Sequence, residues 1–171
     1  MKYRDIPQIS PYGKYQVNVS WHYLEKQIAD AKRDYNLNLD PDFQREHVWT
    51  EEQQIRFCEW ILRGGKTGRH LLFNCKNWNR GTPYDYELVD GKQRINAVLR
   101  YLHNEIPVFG NNFCKDFTDN MRLTGPDFIW CINDLATREE VLQCYLDFNG
   151  AGTPHTQAEL NRVRALLKKK K

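Results

Sequence analysis

The chain has 171 residues, 40% apolar and 13% aromatic, with 25 Lys+Arg against 22 Asp+Glu and a formal charge of +3. That profile suits one folded unit with its own core, 1–171, and excludes a disordered chain. No apolar run nears the roughly 18 residues that span a bilayer, and the N-terminal MKYRDIPQIS has no signal-peptide apolar region. The five cysteines form no CxxC pair, which argues against a disulfide framework and a paired-cysteine zinc site. They read as small buried hydrophobes, and the expected setting is a reducing cytoplasm, bacterial or phage-infected.

Taken in chain order, YQVNVS (Tyr15–Ser20) alternates like a short strand. Ser20 can then cap a helix to about Tyr35, with Trp21, Leu24, Ile28 and Ala31 near one face. An extended stretch broken by Pro41 follows. Thr50 and Gln53 form a capping box for the next helix, whose expected buried stripe is Ile55, Cys58, Trp60, Ile61 and Leu62, and Gly64-Gly65 closes it. HLLFNC and YELV read as strands joined by a polar turn. KQRINAVLRYLH is amphipathic, with Ile95, Val98, Leu99 and Leu102 at helical spacing. IPVFG and DFIWCIN suggest further short strands. Thr137 with Glu140 and Thr156 with Glu159 make two more capping boxes, each opening a helix. Mixed strands and helices without regular βαβ alternation predict a compact α+β unit. Its end is basic: NRVRALLKKKK from Asn161, with Lys168, Lys169, Lys170 and Lys171 able to contact DNA phosphates or to form a solvated terminus.

Three stretches could carry chemistry. At Asp90-Gly91-Lys92-Gln93-Arg94 a helix starts directly after a strand, so its first N–H groups and positive dipole end favour an anion. Gly91 lets that anion approach, Arg94 can fork a phosphate, Lys92 adds a point charge, and Asp90 can hold a divalent cation or orient a water. An ordinary strand-to-helix turn with Asp90 as cap explains the same residues. In Asp42–Trp49, Phe43 and Trp49 look like anchors with Arg45 between them, although Arg45 can equally pair with Glu46 or Glu51. In Phe148–Thr156, Asn149, Gly150 and Gly152 fit a helix end, and Asn149 and Thr153 offer polar groups for a base, ribose or phosphate.

In their order and separation, LDPDFQREHVW, LVDGKQRINAVLRYL and YLDFNGAGTPHTQAEL resemble the ParB/sulfiredoxin-like domains found in the GmrS part of GmrSD restriction systems. The resemblance covers about residues 37–167. One departure is Lys92, where the family commonly has glutamine. The resemblance implies a compact mixed sheet with flanking helices that binds a nucleoside triphosphate with Mg²⁺ and hydrolyses it, acting on or with DNA. It implies a separate nuclease or restriction partner protein; the lack of a long apolar run already argues against a membrane partner. Position by position, it puts Asp90, Gly91, Gln93 and Arg94 at the phosphates and Gln44 and Arg45 nearby, and the terminal match adds Asn149. Asp90 and Arg94 would be catalytic. The competing readings are a non-catalytic DNA-binding or interaction module and a metal-dependent nuclease using Asp90 with Glu87. Against the nuclease, residues three apart face opposite sides of a regular strand.

Overall fold

A four-stranded mixed sheet organises the chain, in the order β1–β4–β2–β3. The structure is a computed structural model that describes residues 2, 6, 15–44, 46, 48–78, 84–119, 125–150 and 157–168. The strands are β1 (Tyr15–Ser20), β2 (His70–Lys76), β3 (Asp85–Asp90) and β4 (Asp127–Asn133). β4 runs antiparallel to β1 and parallel to β2, and β3 runs antiparallel to β2 along one edge. Five α-helices flank the sheet among the described residues: α1 (Trp21–Tyr35), α2 (Glu51–Leu62), α3 (Lys92–Leu102), α4 (Arg138–Gly150) and α5 (Gln157–Lys168). This is the α+β arrangement expected.

Strand alternation divides the core into two layers. Leu71, Phe73, Tyr86, Leu88, Phe128 and Trp130 point to one face and pack with Trp21, Leu24, Ile28, Cys58, Val98 and Tyr101 from α1, α2 and α3. Phe73 stacks on Trp130 at 4.3 Å between centroids, and the Trp130 indole N–H donates to the Tyr86 hydroxyl at 2.6 Å. The other face carries Val89 and Leu72, which pack with Phe43, Val141, Leu142 and Tyr145, and with Val163 of α5. Among the described residues, no helix is long and apolar enough to cross a membrane.

The helix starts follow local chemistry. The Thr50 hydroxyl accepts the Gln53 N–H, and the Gln53 side chain accepts the Thr50 N–H, so the expected capping box forms. Thr137 and Glu140 do the same for α4. The four residues expected on the inner face of α1, Trp21, Leu24, Ile28 and Ala31, are all buried. Buried Cys58 and Cys75 have thiols pushed by burial to about 12, consistent with inert hydrophobes.

Three local expectations change. Ser20 sits at the cap position of α1 without a side-chain capping bond, and the Trp21 N–H is satisfied instead by the Pro126 carbonyl at 2.9 Å. Trp60 is half exposed rather than part of the buried stripe. Its ring lies over Gly65 and its indole N–H donates to the Thr67 carbonyl at 3.2 Å, closing the turn after α2. IPVFG is not a strand. Val108 makes one isolated bridge with Asn112 around a turn in which Phe109 and Gly110 both have positive φ. The Thr156 cap and the connection over 79–83 lie outside the described residues.

Candidate functional site

The strand–glycine–helix junction forms as its residue types require. β3 ends at Asp90, Gly91 takes the cap position with φ 123°, and α3 begins at Lys92. Few L-residues tolerate that backbone angle. A Cβ at Gly91 would also drive into Leu71 Cδ2 and lie 3.6 Å from Arg94 Nη2. The helical ladder opens with the Ile95 N–H to the Gly91 carbonyl at 2.9 Å, so the N–H groups of residues 92–94 precede it at the positive end of the dipole. The Arg94 guanidinium pairs with the Asp90 carboxylate across one helical turn, each side chain roughly a fifth exposed. Asp90 is therefore not the α3 cap but an ion-pair partner of Arg94.

A β-bulge sets the direction of Asp90. Phe73 pairs with Leu88 while the preceding residue, Leu72, pairs with Asp90, so Val89 is the extra residue. The bulge shifts the parity of the strand by one. Asp90 thus shares the face of Leu72, as Glu87 shares that of its partner Asn74. The regular-strand expectation that Glu87 and Asp90 face opposite sides fails for that reason.

The segment 38–49 straps this junction. Asn38 extends the edge of β3, donating to the Tyr86 carbonyl at 2.8 Å and accepting from Leu88 N–H at 2.9 Å. Asp40 pairs with Lys92. Phe43 is buried on one side of the sheet, against Tyr145 at 5.1 Å, while Trp49 packs on the other side against Phe57. Both act as the anchors the sequence suggests.

Between these anchors, two glutamines assigned to phosphates bind the chain's own backbone. Buried Gln44 donates from Nε2 to the carbonyls of Leu88 (3.1 Å) and Val89 (2.7 Å). Buried Gln93 accepts from Val48 N–H (3.0 Å) and Trp49 N–H (3.1 Å) and donates to the Glu46 carbonyl (3.1 Å). The first two constellations are therefore one physical unit, with the glutamine side chains as its internal braces. Asn149 lies one turn after Tyr145 near the end of α4, with only its backbone described. Arg45, Thr153 and Lys169, Lys170 and Lys171 lie outside the described residues, and Lys168 ends α5.

Two arginines missed by the sequence reading complete the surround. Arg138, in the first turn of α4, pairs with Asp42 and with Glu87 at 3.0 Å, and its guanidinium lies 4.6 Å from the Phe43 ring centroid. Arg162 of α5 donates to the carbonyls of Asp42 and Gln44. No spacing rule identifies either, because their partners lie 51 to 120 positions away in the chain.

The chain matches the family model of the GmrSD restriction endonuclease N-terminal domain over residues 24–142, well over half its length. It belongs to that family. The role of this GmrSD N-terminal domain is accordingly related to restriction systems. The match includes the strap, the β3–α3 junction and Arg138, and stops within α4 before Arg162. Comparison with curated proteins and with solved structures gives no match.

Glu87 provides a signed test of this surround. Burial, the largest influence, raises its carboxyl above the ordinary value, with Arg138 pulling the other way. The folded state then holds a proton that the unfolded chain has released, so the Glu87 contribution to stability declines as pH rises through that interval. Denaturant unfolding of wild type and Glu87→Gln should show the wild type gaining relative stability as pH falls from the raised value toward the ordinary one. A relative stability that instead increases with pH there would contradict burial as the dominant influence.

Proposed function

We propose that this chain binds a nucleoside triphosphate with Mg²⁺ at the β3–Gly91–α3 junction and hydrolyses it in a ParB-like manner, acting on or with DNA alongside a separate nuclease or restriction partner. The observation that carries this reading is the Asp90–Arg94 pair beside a positive-φ glycine at a helix start. A helix start, with its positive dipole end and a guanidinium in its first turn, favours an anion. Arg94 would exchange part of its hold on Asp90 for phosphate oxygens, since the guanidinium has five donors and the Asp90 contact engages Nη2.

Among the described residues, no group of three His, Cys, Asp or Glu could hold a metal by itself. Mg²⁺ commonly takes one or two carboxylates and completes its shell with phosphates and water. Asp90 would be the protein ligand, and the ion would offset charge developing on the phosphoryl oxygens. The alternative role for Asp90 is to orient an attacking water. Lys92 would add charge at the mouth of the site. The family pattern adds Asn149 to the nucleotide site, and Thr153 would offer a further polar group for a base, ribose or phosphate.

The nuclease reading gains from the bulge, which puts Glu87 and Asp90 on one face. It loses more from Arg138, which already pairs with Glu87. The two enzymatic readings separate directly. Purified protein with Mg²⁺ should release phosphate from a nucleoside triphosphate while supercoiled plasmid stays intact. Plasmid nicking without phosphate release would favour the nuclease. Salt-sensitive DNA binding without turnover, weakened by deleting Lys168 to Lys171, would favour a non-catalytic module.

A further inference from the structure

We infer that Arg162, on α5, is a positioning residue for the phosphate site, an inference that rests on the nucleotide reading above. Its Nη2 donates to the Asp42 carbonyl at 2.6 Å and to the Gln44 carbonyl at 2.9 Å. These carbonyls belong to a turn closed by Gln44 N–H to the Pro41 carbonyl at 2.9 Å. The same Gln44 sends its side-chain amide to the Leu88 and Val89 carbonyls, immediately before Asp90. A continuous line of hydrogen bonds therefore runs from α5 through the strap to the bulge that aims Asp90.

The geometry suits positioning rather than charge compensation. A guanidinium amino group presents two N–H bonds in a fixed plane, so it can hold two carbonyls at a set separation. The neighbouring Val163 is buried with Phe43, Val89 and Tyr145, which fixes the rotation of α5 about its axis. Arg162 itself is exposed, and its removal opens no core cavity. α5 lies beyond the family match, which makes this brace a feature of the chain's C-terminal part.

The test compares wild type, Arg162→Ala and Arg162→Lys by hydrogen exchange and by calorimetric titration with ATP, CTP, GTP and UTP, each with Mg²⁺. In Arg162→Ala, amides between Asp42 and Trp49 should exchange roughly tenfold faster, while those of β2 and β4 stay as in wild type. Affinity for the best-bound nucleotide should fall roughly tenfold, with Arg162→Lys intermediate in both. Unchanged exchange in the strap would overturn the clamp. Faster exchange with unchanged affinity would overturn the positioning role. A wild type that binds none of the four would overturn the nucleotide reading and the positioning role with it, while the exchange result still decides whether the clamp exists.

Discussion

Gly91→Ala is expected to cost about 3 kcal/mol of folding stability, combining positive-φ strain with overpacking. The backbone angle of 123° is the first contribution, because a Cβ there crowds the adjacent carbonyls. The second is spatial: the new methyl meets the side chain of Leu71, which is fully buried and has little room to turn aside. Denaturant unfolding should show a lower midpoint with an unchanged slope. The same substitution should weaken nucleotide binding, since the methyl stands beside Arg94 Nη2 at the edge of the site. A variant as stable as wild type would mean that the junction has a different backbone.

Gln93→Ala should cost about 2–3 kcal/mol, from three lost hydrogen bonds at about 1 kcal/mol each. The bonds hold the Glu46 carbonyl and the Val48 and Trp49 N–H groups, none of which has a helix or strand partner to replace them. Exposure of Glu46 and Val48 lets water recover part of that cost, which keeps the figure below the penalty for fully buried groups. Gln93→Glu is the informative companion. It retains an acceptor for the two N–H groups but places a carboxylate against the Glu46 carbonyl. Its stability should therefore lie between wild type and Gln93→Ala near neutral pH. If Gln93→Ala unfolds like wild type yet loses nucleotide, the side chain serves the ligand and not the strap.

The helices were legible because their signals are local. Capping boxes at Thr50 and Thr137 and the apolar spacing of α1 act within one or two turns, and neighbouring residues are enough to determine them. IPVFG misled because a short apolar run does not distinguish a strand from a buried turn, and Ile106 and Val108 are both buried without a strand. Trp60 misled because a large amphipathic ring can sit half exposed once its N–H finds a carbonyl.

At the site, the Asp-Gly-cation sequence pointed to the junction, while its wiring stayed hidden. The Val89 bulge depends on how β3 pairs with β2, and nothing within β3 itself announces it. Gln44 and Gln93 matched the family's motifs, but their hydrogen bonds reach 44 to 47 residues away and bind backbone. Arg138 and Arg162 lie on helices whose docking is set by Phe43, Val89 and Tyr145, so their roles follow from tertiary packing alone. A match to a family's motifs can thus report the architecture that holds a site as well as the groups that touch a ligand.

The most direct measurement is a calorimetric titration of wild type and Arg94→Ala with each of the four nucleoside triphosphates in the presence of Mg²⁺. Arg94 is partly buried against Asp90 at the start of α3, so its removal takes away the guanidinium paired with Asp90 at the junction. The expected result is saturable binding of at least one nucleotide by wild type and its loss in a folded Arg94→Ala. Wild type showing no saturable binding to any of the four, or Arg94→Ala binding as tightly as wild type, would contradict the account.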